Sequence, residues 1–353
     1  MPVLMQRMTR LMALATVMIP LAAHAADWDT DTARILGDPA FLPLAGQVSG
    51  EFSYSYEAQT YNYANTQNGG SDSVDRSSNT FSPYLSYGIT DDISVSANLD
   101  WGNSRLTENR IIEELLPGGP GGGPGVHYGP YHFKETYHSQ GAFNPAFGAT
   151  WRVIDERSAP VNVDISVSYA PDVFTARDAE YDSNGSLALG GQRGTAEIAV
   201  SREWQVFTAR GYALLGVDGE RKIDLNYAGV PQGTYVTHTD ARPDYEIGLQ
   251  TQTRPLPFLA VNAGVSVSGA SDYDEYESYP GGSNPNSEEK PGFTVSPYVG
   301  LLTPLLSNRI VGEILYQHNF NSDDKVLFPD GSTGKYSENQ SNVYTASIRF
   351  LLF

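Results

Sequence analysis

Seven charged side chains fall on the polar side of stretches in which apolar and polar residues alternate: Glu51, Asp164, Glu197, Arg210, Glu246, Glu313 and Arg349. Two arginines among five carboxylates can form charge-assisted, bidentate pairs, and such pairs either brace a structure or set a charged constriction for passing solutes. Nucleophilic catalysis needs a serine or an acid beside a histidine. His318 and, less well, His238 are the histidines placed for that, and no G-x-S-x-G motif accompanies either. The chain has no cysteine, which removes thiolate chemistry and disulfides. His127, His132 and His138 are too loosely spaced for a zinc motif, and DYDEYE at 272–277 lacks the spacing and glycine of a calcium loop. No catalytic residue, cofactor or metal is therefore expected.

These charges must be positioned by strands. In VSGEFSYSYE, Val48, Phe52, Tyr54 and Tyr56 share one face while Ser49, Glu51, Ser53 and Ser55 share the other, a period of two. The same alternation marks twelve segments, near 46–58, 80–89, 92–102, 142–153, 160–170, 194–202, 206–217, 243–253, 258–269, 292–301, 308–319 and 341–353. Connections alternate without exception between short (TDD, DERSA, EWQ, RPLP, TPLLSN) and long (NTQNGGSDSVDRSS, the stretch beginning NSRLTENR, SDYDEYESYPGGSNPNSEEK). A soluble sandwich has no reason to segregate loop length this way. An even strand count with short turns at one end predicts an all-β fold, a single antiparallel up-and-down transmembrane barrel of about twelve strands, with short periplasmic turns and long extracellular loops.

Residues 1–25 read as a secretory signal: Arg7 and Arg10, an apolar run, then Ala23-His24-Ala25. Residues 26–45 form a periplasmic lead-in and 46–353 the barrel. Loss of the two signal arginines takes the formal charge from −19 to −21, which argues against nucleic acid as a partner. No other stretch is long and apolar enough for a membrane helix, so any span is made of strands.

With the apolar faces toward lipid, the seven charges line the lumen at similar depth. Strand order then sets Arg210 between Glu197 and Glu246, and Arg349 between Glu313 and, across the closure, Glu51. Pro83, Pro145 and Pro297, in FSPYLS, FNPAFG and VSPYVG, lie on the lipid-facing parity and are expected at strand starts near the outer rim; the alternative is a set of strand kinks opening a lateral exit. The run 116–125, LPGGPGGGPG, reads as a mobile external loop. The chain ends YTASIRFLLF, an aromatic final strand suited to recognition by the barrel-assembly machinery, with Phe353 on the opposite parity to the usual ending.

FSPYLSYGITDDISVSANLDW, residues 81–101, resembles a hairpin of the outer-membrane proteins associated with phenol degradation in Gram-negative bacteria. ILGDPAFLPLAGQ resembles the lead-in of such barrels, and GAFNPAFGATWRV their fourth strand. The resemblance implies a channel or transporter in the outer membrane, in contact with its lipid, for passive passage of a small-molecule solute, hydrophobic or aromatic compounds among the candidates. The alternative is a closed structural or adhesive barrel acting through its extracellular loops. A lipid hydrolase ranks last.

Overall fold

A computed structural model describes residues 36–65, 71–112, 131–178, 185–204, 207–225, 230–231, 233–256, 258–305 and 309–352. The signal segment, the run 116–125, His127 and Phe353 lie outside the described residues. Twelve strands close into one antiparallel barrel. They are β1 (Val48–Asn65), β2 (Ser71–Gly88), β3 (Ile93–Asn98, resuming as Trp101–Ile112), β4 (Tyr131–Ala142, resuming as Ala146–Ile154), β5 (Asn162–Ala170) and β6 (Arg193–Trp204), followed by β7 (Phe207–Asp218), β8 (Arg242–Leu256), β9 (Leu259–Ala270), β10 (Phe293–Pro304), β11 (Ile310–Asn321) and β12 (Thr333–Leu352). Pairing of β1 with β12 closes the wall in the register Val48↔Leu352, Glu51↔Arg349, Tyr54↔Ala346. Closure satisfies the backbone groups that an edge would leave bare in hydrocarbon.

The faces are inverted relative to a water-soluble domain. Outward side chains are large and apolar, with Leu215 69%, Ile247 60% and Trp101 60% exposed, while inward Asn162, Thr208 and Gln252 are almost wholly buried. A continuous apolar exterior of this kind matches a lipid solvent.

The strands run well beyond the predicted segments. NTQNGGSDSVDRSS, expected as a loop, contains the upper part of β2, NSRLTENR continues β3, and 271–290 holds the short strands Tyr273–Tyr279 and Ser287–Lys290. With Arg221–Asp224, Val236–Thr239 and Asp324–Leu327, these pair edge to edge into a raised outer rim. Above the lipid neither face has to be apolar, so pairing continues without the sustained alternation that marks a strand in sequence, even though single residues such as Val74 and Val326 are buried.

The prolines also depart from expectation. Pro83 lies well inside β2, opposite the break in β3 at 99–100; Pro145 lies in the break of β4 at 143–145; Pro297 lies within β10, where pairing with β11 lapses between Val295↔Phe320 and Tyr298↔Gln317. Each marks a local loss of ladder hydrogen bonds, as a residue without an N–H must.

Candidate functional site

The described part of the lead-in, residues 36–45, enters the mouth of the barrel. Leu36 joins Ala260, Leu302 and Val311 in the buried apolar cluster, with Phe41 and Leu351 packed against it. Polar anchors come from strands across the barrel. Arg152 Nη2 (β4) donates to the Ala40 carbonyl at 2.8 Å, Thr208 Oγ1 (β7) to Asp38 Oδ2 at 2.6 Å, and Gln252 Nε2 (β8) to the Gly37 carbonyl at 3.2 Å. Gly37 is required twice over: its φ is +94°, and a Cβ there would come 2.6 Å from Leu302 Cδ2. Asp38 is 5% exposed, and burial pushes its carboxyl above the usual carboxylate range. The Thr208 hydroxyl, the Ala40 N–H and Arg254 offset that in part, while Glu156 adds to it. Sequence gave no sign of this plug, because its anchors lie on β4, β7 and β8, far from Asp38 along the chain.

Directly above the plug lies a charged layer. Arg349 Nη2 is 2.7 Å from Glu313 Oε2, and its Nε lies 3.0 Å from Glu51 Oε2 as an ion pair without hydrogen-bond alignment. Asn262 donates to the other Glu313 oxygen at 3.1 Å. Arg152 grips Asp164 bidentately, Nε to Oδ1 at 2.8 Å and Nη2 to Oδ2 at 3.0 Å. Asp164 thus has a buried partner that sequence reasoning did not single out, although Arg152 sits directly opposite it in the β4–β5 register. Arg210 pairs with Glu197 and donates to Gln250 Oε1 at 3.1 Å. Glu246, expected as its second carboxylate, instead accepts the Tyr212 hydroxyl. Glu246 stands opposite Leu214, as Glu197 does on the other side, and Gln250, directly opposite Arg210, takes the guanidinium nitrogen that Glu197 leaves.

Among the described residues, two cavities lie one above the other in the lumen. The lower, about 220 Å³, lies between the plug and the charged layer, with Asp38, Glu51, Asp164, Arg210 and Arg349 on its walls. The upper, about 530 Å³, is lined by hydroxyls, amides, Tyr212, Tyr298, Glu57 and Glu246.

The outer ends of β6, β7 and β8 meet at Asp218, which pairs with Arg193 at 2.8 Å, with Arg242 at 3.3 Å and with Arg221; Arg193 also reaches Asp244 at 2.8 Å. Higher on the rim, burial beside Glu275 and Asp324 pushes the Glu289 carboxyl up to about 7. Among the described residues no group of three or more histidine, aspartate or glutamate side chains is placed to hold a metal ion.

On the lipid face, His318 Nδ1 lies 2.9 Å from Asn342 Oδ1, which the Tyr316 hydroxyl also engages, and the ring stands edge-on to Phe320. On the rim, His238 stacks on Tyr276 between Ser278 (2.9 Å) and Glu220 (3.4 Å). The Ser278 hydroxyl is committed to the Val236 carbonyl at 3.3 Å.

No protein-family model and no curated protein matches the chain. Among solved structures, an outer-membrane channel from Pseudomonas putida F1 is similar with a TM-score of 0.52 at 11% identity, over 90% of this chain and 99% of that one. A FadL homologue from Pseudomonas aeruginosa gives 0.39 at 8% identity, over 86% of this chain and 90% of that one, and the outer-membrane protease of Escherichia coli 0.35 at 9%, over 92% and 100%. The first of these likenesses shows the fold: an all-β barrel of the kind found in Gram-negative outer membranes.

Proposed function

We propose that the protein is a passive diffusion channel of a Gram-negative outer membrane, passing a small solute through its lumen. The observation that carries this reading is the pairing of an apolar exterior with an interior that is polar and holds a cavity of about 530 Å³ above the charged layer. A barrel filled only to brace itself needs no such space. The charged layer then narrows the path, and the lead-in plug gates its periplasmic end.

One observation favours the closed-barrel alternative, in which the raised rim acts in adhesion. The plug is anchored on β4, β7 and β8, which bars the mouth in this conformation. Neither reading invokes covalent chemistry: among the described residues His318 meets Asn342, and the Ser278 hydroxyl beside His238 also reaches the Val236 carbonyl. A hydrophobic solute, as the hairpin resemblance implies, would use the wall irregularity at Pro145, where Asn144 holds the chain after β5 through the Val173 and Phe174 N–H groups at 3.2 Å.

Liposome swelling tests the reading. Proteoliposomes of the refolded chain should swell in urea and glycerol faster than protein-free liposomes. Swelling no faster than the lipid control, at both acid and alkaline pH, would leave the closed barrel.

A further inference from the structure

We infer that the upper lumenal cavity is a binding site for a small hydroxyl-rich solute, neutral or cationic and about the size of a sugar ring. The inference rests on the diffusion-channel reading only in taking this cavity as part of the path.

Its lining is the first ground. Among the described residues that face it there is no aliphatic side chain; serine and threonine hydroxyls alternate with Gln250, Gln317 and Asn319. An apolar solute entering here would strip water from these groups and return nothing, whereas a polyol replaces that water bond for bond.

The amides are also fixed in direction. Arg210 donates to Gln250 Oε1 at 3.1 Å, which leaves the Gln250 NH2 to donate into the cavity. Gln317 Nε2 donates to Asn319 Oδ1 at 2.7 Å and Asn319 Nδ2 to Ser341 Oγ at 2.7 Å, which leaves Gln317 Oε1 to accept. A cavity offering both roles side by side suits hydroxyl groups, each of which donates and accepts.

Tyr298 supplies a flat surface. Its ring lies over Gly264 on β9, so close that a Cβ at that position would stand 2.5 Å from the ring. The glycine lets the ring lie against the wall and keeps the cavity open. A sugar ring presents a C–H face bounded by hydroxyls, which matches an aromatic face bordered by amides.

Charge supplies the discrimination. Glu57 and Glu246 line the cavity and no cationic side chain does. Arg210 borders the cavity from below, opposite Gln250 and against the Tyr212 ring, but it lines the lower cavity and its charge is already engaged by Glu197 and Gln250. An anion therefore meets two carboxylates in a site of lowered dielectric, and a neutral or cationic solute does not.

Saturation-transfer NMR on the full refolded chain in lipid nanodiscs, with methyl glucoside, gluconate and phenol as probes, tests the inference without requiring transport. Transfer to the ring C–H protons of methyl glucoside is expected, retained in Tyr298→Phe and reduced several-fold in Tyr298→Ala. Transfer to gluconate should be roughly tenfold weaker and should recover in Glu57→Gln/Glu246→Gln. Equal transfer to gluconate in the unaltered chain, no transfer to methyl glucoside, or transfer to phenol that exceeds it and vanishes in Tyr298→Ala would each overturn the inference. Folding of each variant is checked by heat-modifiable migration, and Tyr298→Phe remains informative if Tyr298→Ala fails to fold. Glucoside binding without solute-driven swelling would instead count against the channel reading.

Discussion

Glu313 is the residue whose environment demands most of its neighbours. Its side chain is 4% exposed and its charge is met by Arg349 at 2.7 Å, with Asn262 on the second oxygen. Removing the arginine strands a buried carboxylate, an effect of ~3–5 kcal/mol. Arg349→Ala should therefore lower unfolding stability in urea by about that amount, and adding Glu313→Gln should restore most of it. No recovery in the double variant would mean that Arg349 acts through packing on Gly37 or through Glu51 alone. Arg349, Glu51 and Glu313 could be placed together from sequence because parity and strand order are enough to locate them in a closed sheet. Arg152 was passed over because it lies at the end of its strand, where alternation fades. Glu246 was misassigned because it and Glu197 both stand opposite Leu214, and alternation does not rank the polar neighbours, here Gln250 and Tyr212, that compete for the arginine and the carboxylate.

At the scale of elements, the lead-in is the proposed gate of the lumen. Docking buries Asp38, whose carboxyl in the docked state titrates above its ordinary value. A carboxyl raised on docking contributes fully below the free-state pKa and loses that contribution as pH rises through the docked value. Conductance should then be low in acid and increase as the pH passes the elevated Asp38 value, with Arg254, Glu156 and Glu203 as the charged groups that set its position. In Asp38→Asn the dependence should flatten. An unchanged slope in that variant, or a slope of opposite sign, would remove Asp38 from the gate. The plug was not legible in sequence, since ILGDPAFLPLAGQ has no period and its partners lie on distant strands. The outer rim was equally hidden, its strands being short and mostly polar, with isolated apolar residues such as Val326 in place of a sustained alternation.

For the whole molecule, sequence carried the architecture. Twelve alternating segments joined by connections that are alternately short and long specify a closed up-and-down sheet before any contact is known, and the closing register Glu51↔Arg349 follows from joining its ends. What sequence could not specify is how the inside is divided, because the plug, the charged layer and the upper cavity depend on side chains from strands far apart in the chain. A gated polar pore is the function proposed for this interior, and single-channel recording in planar bilayers tests it most directly. The full chain should open rarely. Thr208→Val/Gln252→Leu, which removes two side-chain anchors of the plug and changes no charged side chain, should show long openings of larger conductance. Silence in both proteins, or identical traces from both, would contradict it.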